Sequence, residues 1–288
     1  MKLTILCSQA ILVTGIAIAV SGWSNSALAL QPQAENFKTF TDWCLNRGNL
    51  TTDAKHTVEV LLEKAETQNC QQANQKLTSL SKLSLENNQI RDIKPLQSLS
   101  QLTELHLNNN KIRDIKPLQS LSQLTLLILD NNKIRDINPL QSLSELIGLT
   151  ASNNQISDIK PLQSLSKLAI LSLDGNQISD INSLQSLSKL AVVALGNNEI
   201  SNIKPLQSLS NLQLLNLVNN EISDIKPLQS LSKLAILNLV NNQISDIQPL
   251  QSLSQLTDLS LYGNPIPNKT CPLPESVCHW EKPKTSSP

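Results

Sequence analysis

The residues that could carry catalysis are few and lie in different parts of the chain. The three histidines are His56, His106 and His279, and no Gly-x-Ser-x-Gly elbow surrounds any of the many serines. The sequence contains no Gly-rich phosphate loop and no metal-spaced cluster. Seven glycines are too few for much unusual backbone. The sequence therefore predicts a protein that is not an enzyme and that uses no cofactor.

Seven aspartates recur at one position of a repeated segment, and stacked carboxylates could recruit calcium. They are Asp92, Asp114, Asp136, Asp158, Asp180, Asp224 and Asp246. The alternative role is local, because an aspartate in a turn commonly accepts a hydrogen bond from nearby backbone. The local role is much the commoner one, so we expect no metal site.

Four cysteines could form disulfides or hold zinc. Cys44 and Cys70 precede the repeated region, and Cys271 and Cys278 follow it. The spacing lacks a C-x2-C motif and the two halves lie far apart, which argues against zinc. Crossed pairing would have to bridge the whole repeated region, whereas the Cα atoms of a disulfide lie within about 7 Å of each other. We therefore predict the disulfides Cys44–Cys70 and Cys271–Cys278.

A 22-residue unit positions these residues along most of the chain. It reads L-x-L-x-x-N-x-I-x-D-I-x-P-L-x-x-L-x-x-L-x-x, and a ninth, broken copy begins at Leu259. The eight full copies begin at Leu83, Leu105, Leu127, Leu149, Leu171, Val193, Leu215 and Leu237. Such a period is typical of a solenoid, in which each repeat is stable only when stacked on its neighbours.

Each part of the unit predicts a local structure. The segment L-x-L is a short strand whose two leucines point inward and whose flanking residues point outward. The two isoleucines pack inside on the return path. The proline opens a 3₁₀ or single helical turn, since proline at the first helical position costs no hydrogen bond. Ser183 replaces that proline in the fifth repeat, and we expect a slightly softer turn there.

An asparagine follows each strand. Where the chain turns off the strand, buried backbone groups need partners, and an amide offers both a donor and an acceptor. We predict a structural, hydrogen-bonded ladder formed by Asn88, Asn110, Asn132, Asn154, Asn176, Asn198, Asn220, Asn242 and Asn264.

The flanks of the repeats complete the domain organisation. Residues 1–29 carry Lys2, an apolar run over 11–20 and the sequence Ala27-Leu28-Ala29, which together predict a secretory signal peptide. A membrane anchor is the alternative, although about 20 apolar residues are needed to span a bilayer. We assign 30–76 to a helical N-terminal cap, 77–264 to eight full repeats with partial ends, and 265–288 to a C-terminal cap and tail.

The repeat resembles the 22-residue class of leucine-rich repeats, which includes bacterial internalin-type proteins and regulatory subunits of a protein phosphatase. The flanks, T-F-T-D-W-C-L-N-R-G (39–48) and L-Y-G-N-P-I-P-N-K-T-C-P (261–272), are similar to those of exported bacterial members. The resemblance implies an α/β fold: a right-handed solenoid with a concave parallel β-sheet and short helical turns on the convex side. It also implies protein–protein interaction without catalysis. Unlike the surface-anchored internalins, the sequence has no LPxTG sorting signal, so we do not expect cell-wall attachment.

The outward strand positions are where the repeats differ, whereas Leu-Gln-Ser-Leu-Ser is the same in all eight. Apolar residues collect there, and we predict that they bind a partner as an exposed stripe across about 24 Å of the sheet. The alternative is that they pack sideways and are only half exposed. The predicted partner-binding residues are Leu126, Ile128, Ile170, Val192, Leu214, Val218, Ile236, Val240 and Tyr262.

Charge and composition restrict the choice of partner. The 23 basic and 23 acidic residues balance, which argues against nucleic acid. Arg91, Arg113 and Arg135 form a short basic column with Lys111 and Lys133 beside it, which we interpret as a solvated edge rather than an anion site.

Two functional hypotheses follow from the surface and the leader. The first is an exported, periplasmic or extracellular monomer that binds a protein partner and has no membrane span after signal cleavage. The second is a structural or self-associating protein of the cell envelope.

Overall fold

Each sequence repeat forms one rung of a solenoid, with a three-residue strand on the concave side and a 3₁₀ turn on the convex side. The computed structural model describes residues 37–281. Its strands are β1 (Lys82–Ser84), β2 (Glu104–His106), β3 (Leu126–Ile128), β4 (Gly148–Thr150), β5 (Ile170–Ser172), β6 (Val192–Ala194), β7 (Leu214–Asn216), β8 (Ile236–Asn238), β9 (Asp258–Ser260) and β10 (Cys278–His279).

The strands form one parallel sheet in sequence order. Leu83 lies opposite Leu105, and Leu105 opposite Leu127, so equivalent residues of successive repeats are neighbours. Each strand begins one residue before the first leucine of its repeat and ends one residue after it. This register carries every variable position of the repeat into a column that crosses the sheet.

The core consists of leucine and isoleucine stacked rung on rung. In the fifth repeat the buried side chains, each at most 1% exposed, are Leu171, Leu173, Ile178, Ile181, Leu184, Leu187 and Leu190. Because equivalent residues of neighbouring rungs touch, the apolar surface that one rung leaves open is covered by the next.

Each convex turn except that of the fifth repeat has proline as its second residue. The turns are Lys94–Leu96, Lys116–Ser120, Asn138–Ser142, Lys160–Ser164, Asn182–Ser186, Lys204–Ser208, Lys226–Ser230 and Gln248–Ser252. The fifth-repeat turn forms without proline. The hydroxyl of Ser183, which replaces the proline, donates to the carbonyl of Ile159 in the preceding rung at 3.0 Å.

Three helices form the N-terminal cap: α1 (Phe40–Leu45), α2 (Thr52–Lys64) and α3 (Cys70–Thr78). The first two lie within the predicted helical cap. Helix α3 was not predicted, since Leu77 matches the tail of a repeat. Asn69 caps this helix by accepting from the backbone of the first turn, and Cys70, Ala73 and Leu77 form its buried stripe. The helical cap therefore extends two residues past the boundary placed at residue 76.

The cap covers the open end of the solenoid and satisfies its backbone. The imidazole Nε2 of His56 lies 2.6 Å from the carbonyl oxygen of Asn88, and the hydroxyl of Thr57 donates to the carbonyl of Asp92 at 2.7 Å. The disulfide Cys44–Cys70, with Cα atoms 5.6 Å apart, joins α1 to α3 as predicted.

The C-terminal end is closed by a tenth strand that the repeat pattern does not predict. Strand β10 pairs with β9 beyond the last repeat, and the predicted disulfide Cys271–Cys278 holds it, with Cα atoms 5.9 Å apart. The predicted signal peptide, residues 1–29, lies outside the described residues. Within 37–281 no helix is long and apolar enough to cross a membrane.

Candidate functional site

The asparagine ladder fixes the geometry of the rungs below the concave surface. In eight copies, Asn110 to Asn264, the side-chain N–H groups donate to a carbonyl of the same rung and to one of the preceding rung. Asn154, for example, donates to Ala151 and to Leu129, both at 3.0 Å, and its Oδ1 accepts from the N–H of Ile134. The ladder therefore joins side chain to backbone and binds each rung to the one before it.

Asn88 departs from the predicted ladder. No repeat precedes it, and its side chain is half exposed and donates only to the carbonyl of Glu86 in its own rung, at 2.8 Å. The N-terminal cap contacts the backbone of this rung in place of a preceding repeat.

A second column, which was not predicted from the sequence, lies one residue before the asparagine ladder. This position holds Asn87, Asn109, Asn131, Asn153, Gly175, Asn197, Asn219, Asn241 and Gly263. All nine have positive φ, between 53° and 77°. Asparagine and glycine tolerate this left-handed backbone best. The restriction of the column to Asn and Gly is the signal that could have revealed the turn.

The aspartate column has the local role that the sequence favours. Each Asp accepts from the backbone N–H two residues on, as Asp114 does from Lys116 at 2.8 Å. The same contact recurs at the other six aspartates. Within residues 37–281 no group of three or more His, Cys, Asp or Glu is arranged to hold a metal ion.

The concave face carries three columns of outward side chains. The first, the concave column, contains the apolar residues Leu126, Ile170, Val192, Leu214 and Ile236. Ile170 is 45% exposed and Ile236 is 41% exposed, whereas the other three are half-buried. The apolar stripe therefore reaches solvent at Ile170 and Ile236, whereas its other members are partly covered by their neighbours.

Other predicted members of the apolar stripe are less exposed than Ile170 and Ile236 of the concave column. Ile128, Val218 and Tyr262 are half-buried, while Val240 is only 2% exposed. Val240 lies between Val218 and Tyr262 of the adjacent rungs, so it offers almost no surface to a partner. Ile147, which was not predicted, is 48% exposed and adds to the apolar surface.

Gly148 leaves the space that an apolar neighbour fills. A Cβ at this position would lie 2.8 Å from Cδ1 of Leu126. The leucine of β3 therefore leans over the glycine of β4, which explains why Leu126 is only half exposed.

A polar network lies beside the apolar stripe, among the residues that follow the first and the second leucine of each strand segment. Asp130 accepts from the hydroxyl of Thr150 at 2.8 Å and from the N–H of Ser152 at 2.6 Å. Asp174 accepts from the N–H of Gly196 and from the amide of Asn216. Burial raises the pKa of the Asp174 carboxyl above its ordinary value, and these hydrogen bonds oppose the shift.

Charged groups lie at both ends of the concave column. Lys82 and His106 contact the carboxylate of Glu104 at 2.7 and 2.9 Å, and the Lys82 hydrogen bond holds the pKa of Glu104 below its usual value. At the other end Asp258 lies 3.6 Å from His279. The apolar stripe is thus bounded by charge at each end.

The model of the leucine-rich repeats family, built on two repeat copies, matches residues 78–120, 100–142, 144–186 and 210–251. Comparison with curated proteins found no match.

Solved structures with a similar fold come from bacteria and plants. Internalin C2 of Listeria monocytogenes is 35% identical, covering 70% of this chain and 91% of its own, with a TM-score of 0.67. A leucine-rich repeat protein of Leptospira interrogans is 31% identical, covering 67% and 51%, with a TM-score of 0.64. The ectodomain of the Arabidopsis thaliana receptor kinase GASSHO1/SCHENGEN3, solved with CASPARIAN STRIP INTEGRITY FACTOR 2, is 28% identical, covering 66% and 25%, with a TM-score of 0.60. With its matched repeats, stacked parallel strands and 3₁₀ turns, the chain belongs to the leucine-rich repeat family.

Proposed function

We propose that this protein is a non-catalytic module that captures a protein partner on its concave face. The observation that carries the proposal is the concave column, in which Ile170 and Ile236 are exposed and three more apolar side chains are half-buried. Ile170 and Ile236 gain most from being covered, since burying apolar area yields about 25 cal/mol per Å². The leucine-rich repeat fold supports this role, because the array offers an extended inner surface.

The surroundings of the stripe suit a protein partner. The stripe lies beside the hydrogen-bonded carboxylates Asp130 and Asp174 and ends at Glu104 and Asp258. An apolar centre with a polar margin is the usual composition of a protein interface. Tyr262 is the aromatic residue at the C-terminal end of this face, and aromatic residues often anchor such contacts.

Export and a monomeric state are part of the same proposal. Two disulfides at opposite ends of the chain support folding in an oxidising compartment. Size-exclusion chromatography with light scattering tests the monomer: a mass that rises with concentration would favour the self-associating envelope protein instead.

The interface test is a pair of charge substitutions in the concave column, Val192→Glu with Ile236→Glu. A buried, unpaired carboxylate weakens an apolar interface strongly, so capture of the partner should fall about 100-fold or more. The matched control is Ser188→Glu with Ser232→Glu, which adds the same charge next to the same strands at exposed positions outside the concave face.

The pull-down compares the protein and both variants, with envelope and culture-medium fractions as the source of partner. Circular dichroism first establishes that the variants fold alike. A partner that binds all three equally would place the binding surface elsewhere.

A further inference from the structure

The first three repeats carry basic side chains at a position where the remaining five repeats carry none. After the inner isoleucine, repeats one to three carry Arg91, Arg113 and Arg135, and repeats four to eight carry serine at the same position. Two positions earlier stand Lys111 and Lys133. We call these five residues the basic flank. Repeats four to eight form the same rungs with serine at this position, so the solenoid itself does not require the arginines.

The basic flank is held in register by the backbone. The N–H of Lys111 donates to the carbonyl of Ile90 at 2.8 Å, and that of Lys133 donates to Ile112 at 2.9 Å. The rungs are therefore stacked about 4.8 Å apart at this point, as neighbouring strands are. The backbone positions of the three arginines therefore span about 10 Å. The stacked rungs hold these positions in place before any ligand binds.

The cations of the basic flank form no close ion pairs. Among the described residues, the ion pairs within 4.0 Å involve none of the five. Asp92, Asp114 and Asp136 line the same grooves and offset part of the positive charge, and each accepts from the backbone N–H two residues on. The cations still outnumber the carboxylates in each groove, so an added anion would be attracted there.

The side chains line two adjoining grooves. The first, of about 460 Å³, includes Arg91, Lys111 and Arg113 and begins at Asp53 of helix α2. The second, of about 350 Å³, includes Arg135 and shares Arg113 and Lys133 with the first. The two grooves therefore adjoin at Arg113 and Lys133, and together they are lined by all five cations.

The side chains that line the two grooves indicate which class of ligand could bind there. A guanidinium binds a carboxylate through two parallel hydrogen bonds, and three of the five cations are arginines. No aromatic side chain lines either groove, so nucleobases and sugar rings lack a stacking surface. We infer that the basic flank is a second interaction surface, separate from the concave face, that binds an acidic, extended polypeptide segment.

The test uses a labelled peptide of about six glutamates, about 20 Å long when extended, with a glutamine peptide of the same length as control. Fluorescence anisotropy should detect binding of the glutamate peptide alone. The affinity should fall as sodium chloride is raised, because the contacts are exposed and screened.

The decisive variant is Arg91→Ser with Arg113→Ser and Arg135→Ser. Serine is what the later repeats carry at this position, so these rungs keep a sequence that the array already folds. The affinity should fall about tenfold or more, since three exposed ion pairs are lost. The matched control, Lys189→Ser with Lys233→Ser and Lys269→Ser, removes the same charge from exposed positions outside the flank and should bind as the parent protein does.

Each other outcome overturns the inference. Failure to bind the glutamate peptide, or equal loss in both triple variants, removes the flank as a site. Binding of polygalacturonate or heparin without the glutamate peptide would make the flank a polysaccharide site. The concave variant Val192→Glu with Ile236→Glu should bind the glutamate peptide normally, so failure of the concave-face proposal would leave this result intact.

Discussion

Replacing Asn154 by alanine tests the role of the ladder in holding rungs together. Asn154 is 8% exposed, and its amide makes four hydrogen bonds, to Ile134, Leu129, Ala151 and, at 3.2 Å, Ser152. The three acceptors are not left alone by the change, because Asn132 also donates to Leu129, Asn176 to Ala151, and the N–H of Asn131 to Ser152. The N–H of Ile134 has no such substitute.

The magnitude follows from this difference between the acceptors and the donor. A buried N–H left without a partner costs about 1–3 kcal/mol, and losing the contacts of each of the two amide hydrogens to still-bonded carbonyls costs about 0.5–1 kcal/mol. Asn154→Ala should therefore lower the free energy of unfolding by about 2–5 kcal/mol. Asn88→Ala is the matched control: it loses one half-exposed hydrogen bond to Glu86 and should cost about 0.5–1.5 kcal/mol.

Two measurements check the prediction. Urea unfolding followed by circular dichroism gives the two stability losses. Hydrogen exchange should speed up at the amide of Ile134 more than at that of Ile112, which stays bonded to Asn132 at 3.0 Å. Equal destabilisation by Asn154→Ala and Asn88→Ala, or unchanged exchange at Ile134, would refute the reasoning.

Three further changes test the turn, the concave carboxylate and the core. Gly175→Ala should cost about 1–2 kcal/mol in urea, because φ is +67° there, and Gly175→Asn should cost less; equal losses would contradict this. Burial raises the pKa of Asp174 above its ordinary value, so its ionised form lowers stability at neutral pH. Asp174→Asn should raise the urea midpoint at pH 7, and the gain should shrink as the pH falls through the raised pKa; a gain that grows in acid would argue against it. Leu173→Asp buries a charge and should unfold the middle of the array, whereas Ile170→Asp, at a position 45% exposed, should leave the circular dichroism spectrum and melting temperature nearly unchanged.

The sequence predicted those parts of the structure that repeat. Stacking places equivalent residues side by side, so a period of 22 residues determines the sheet register and the buried leucines, as well as the asparagine contacts at every rung that has a predecessor. Both disulfides were also predictable, because the length of the solenoid keeps its two ends apart.

The parts that were not predictable lie where the repetition stops. Helix α3 occupies the place of a repeat tail, and only its cap at Asn69 and its stripe of Cys70, Ala73 and Leu77 distinguish it. Strand β10 pairs with β9 although its sequence shares nothing with L-x-L. Val240 is buried by its position between Val218 and Tyr262, and no rule for a single rung contains that information.

Because the repeats are nearly identical, positions that differ between them can be compared on the same backbone. A substitution among the leucines changes stability at every contact with the next rung, so these positions have little freedom to vary. The concave column and the basic flank change from rung to rung, whereas the buried positions stay apolar, with Ala151 and Val193 as the replacements of strand leucines. At Arg135 and Ser157, for example, two successive rungs carry different chemistry on the same backbone. Differences of this kind alter which molecules the surface can bind without altering how the rung folds, and this is why both proposed interaction surfaces lie there.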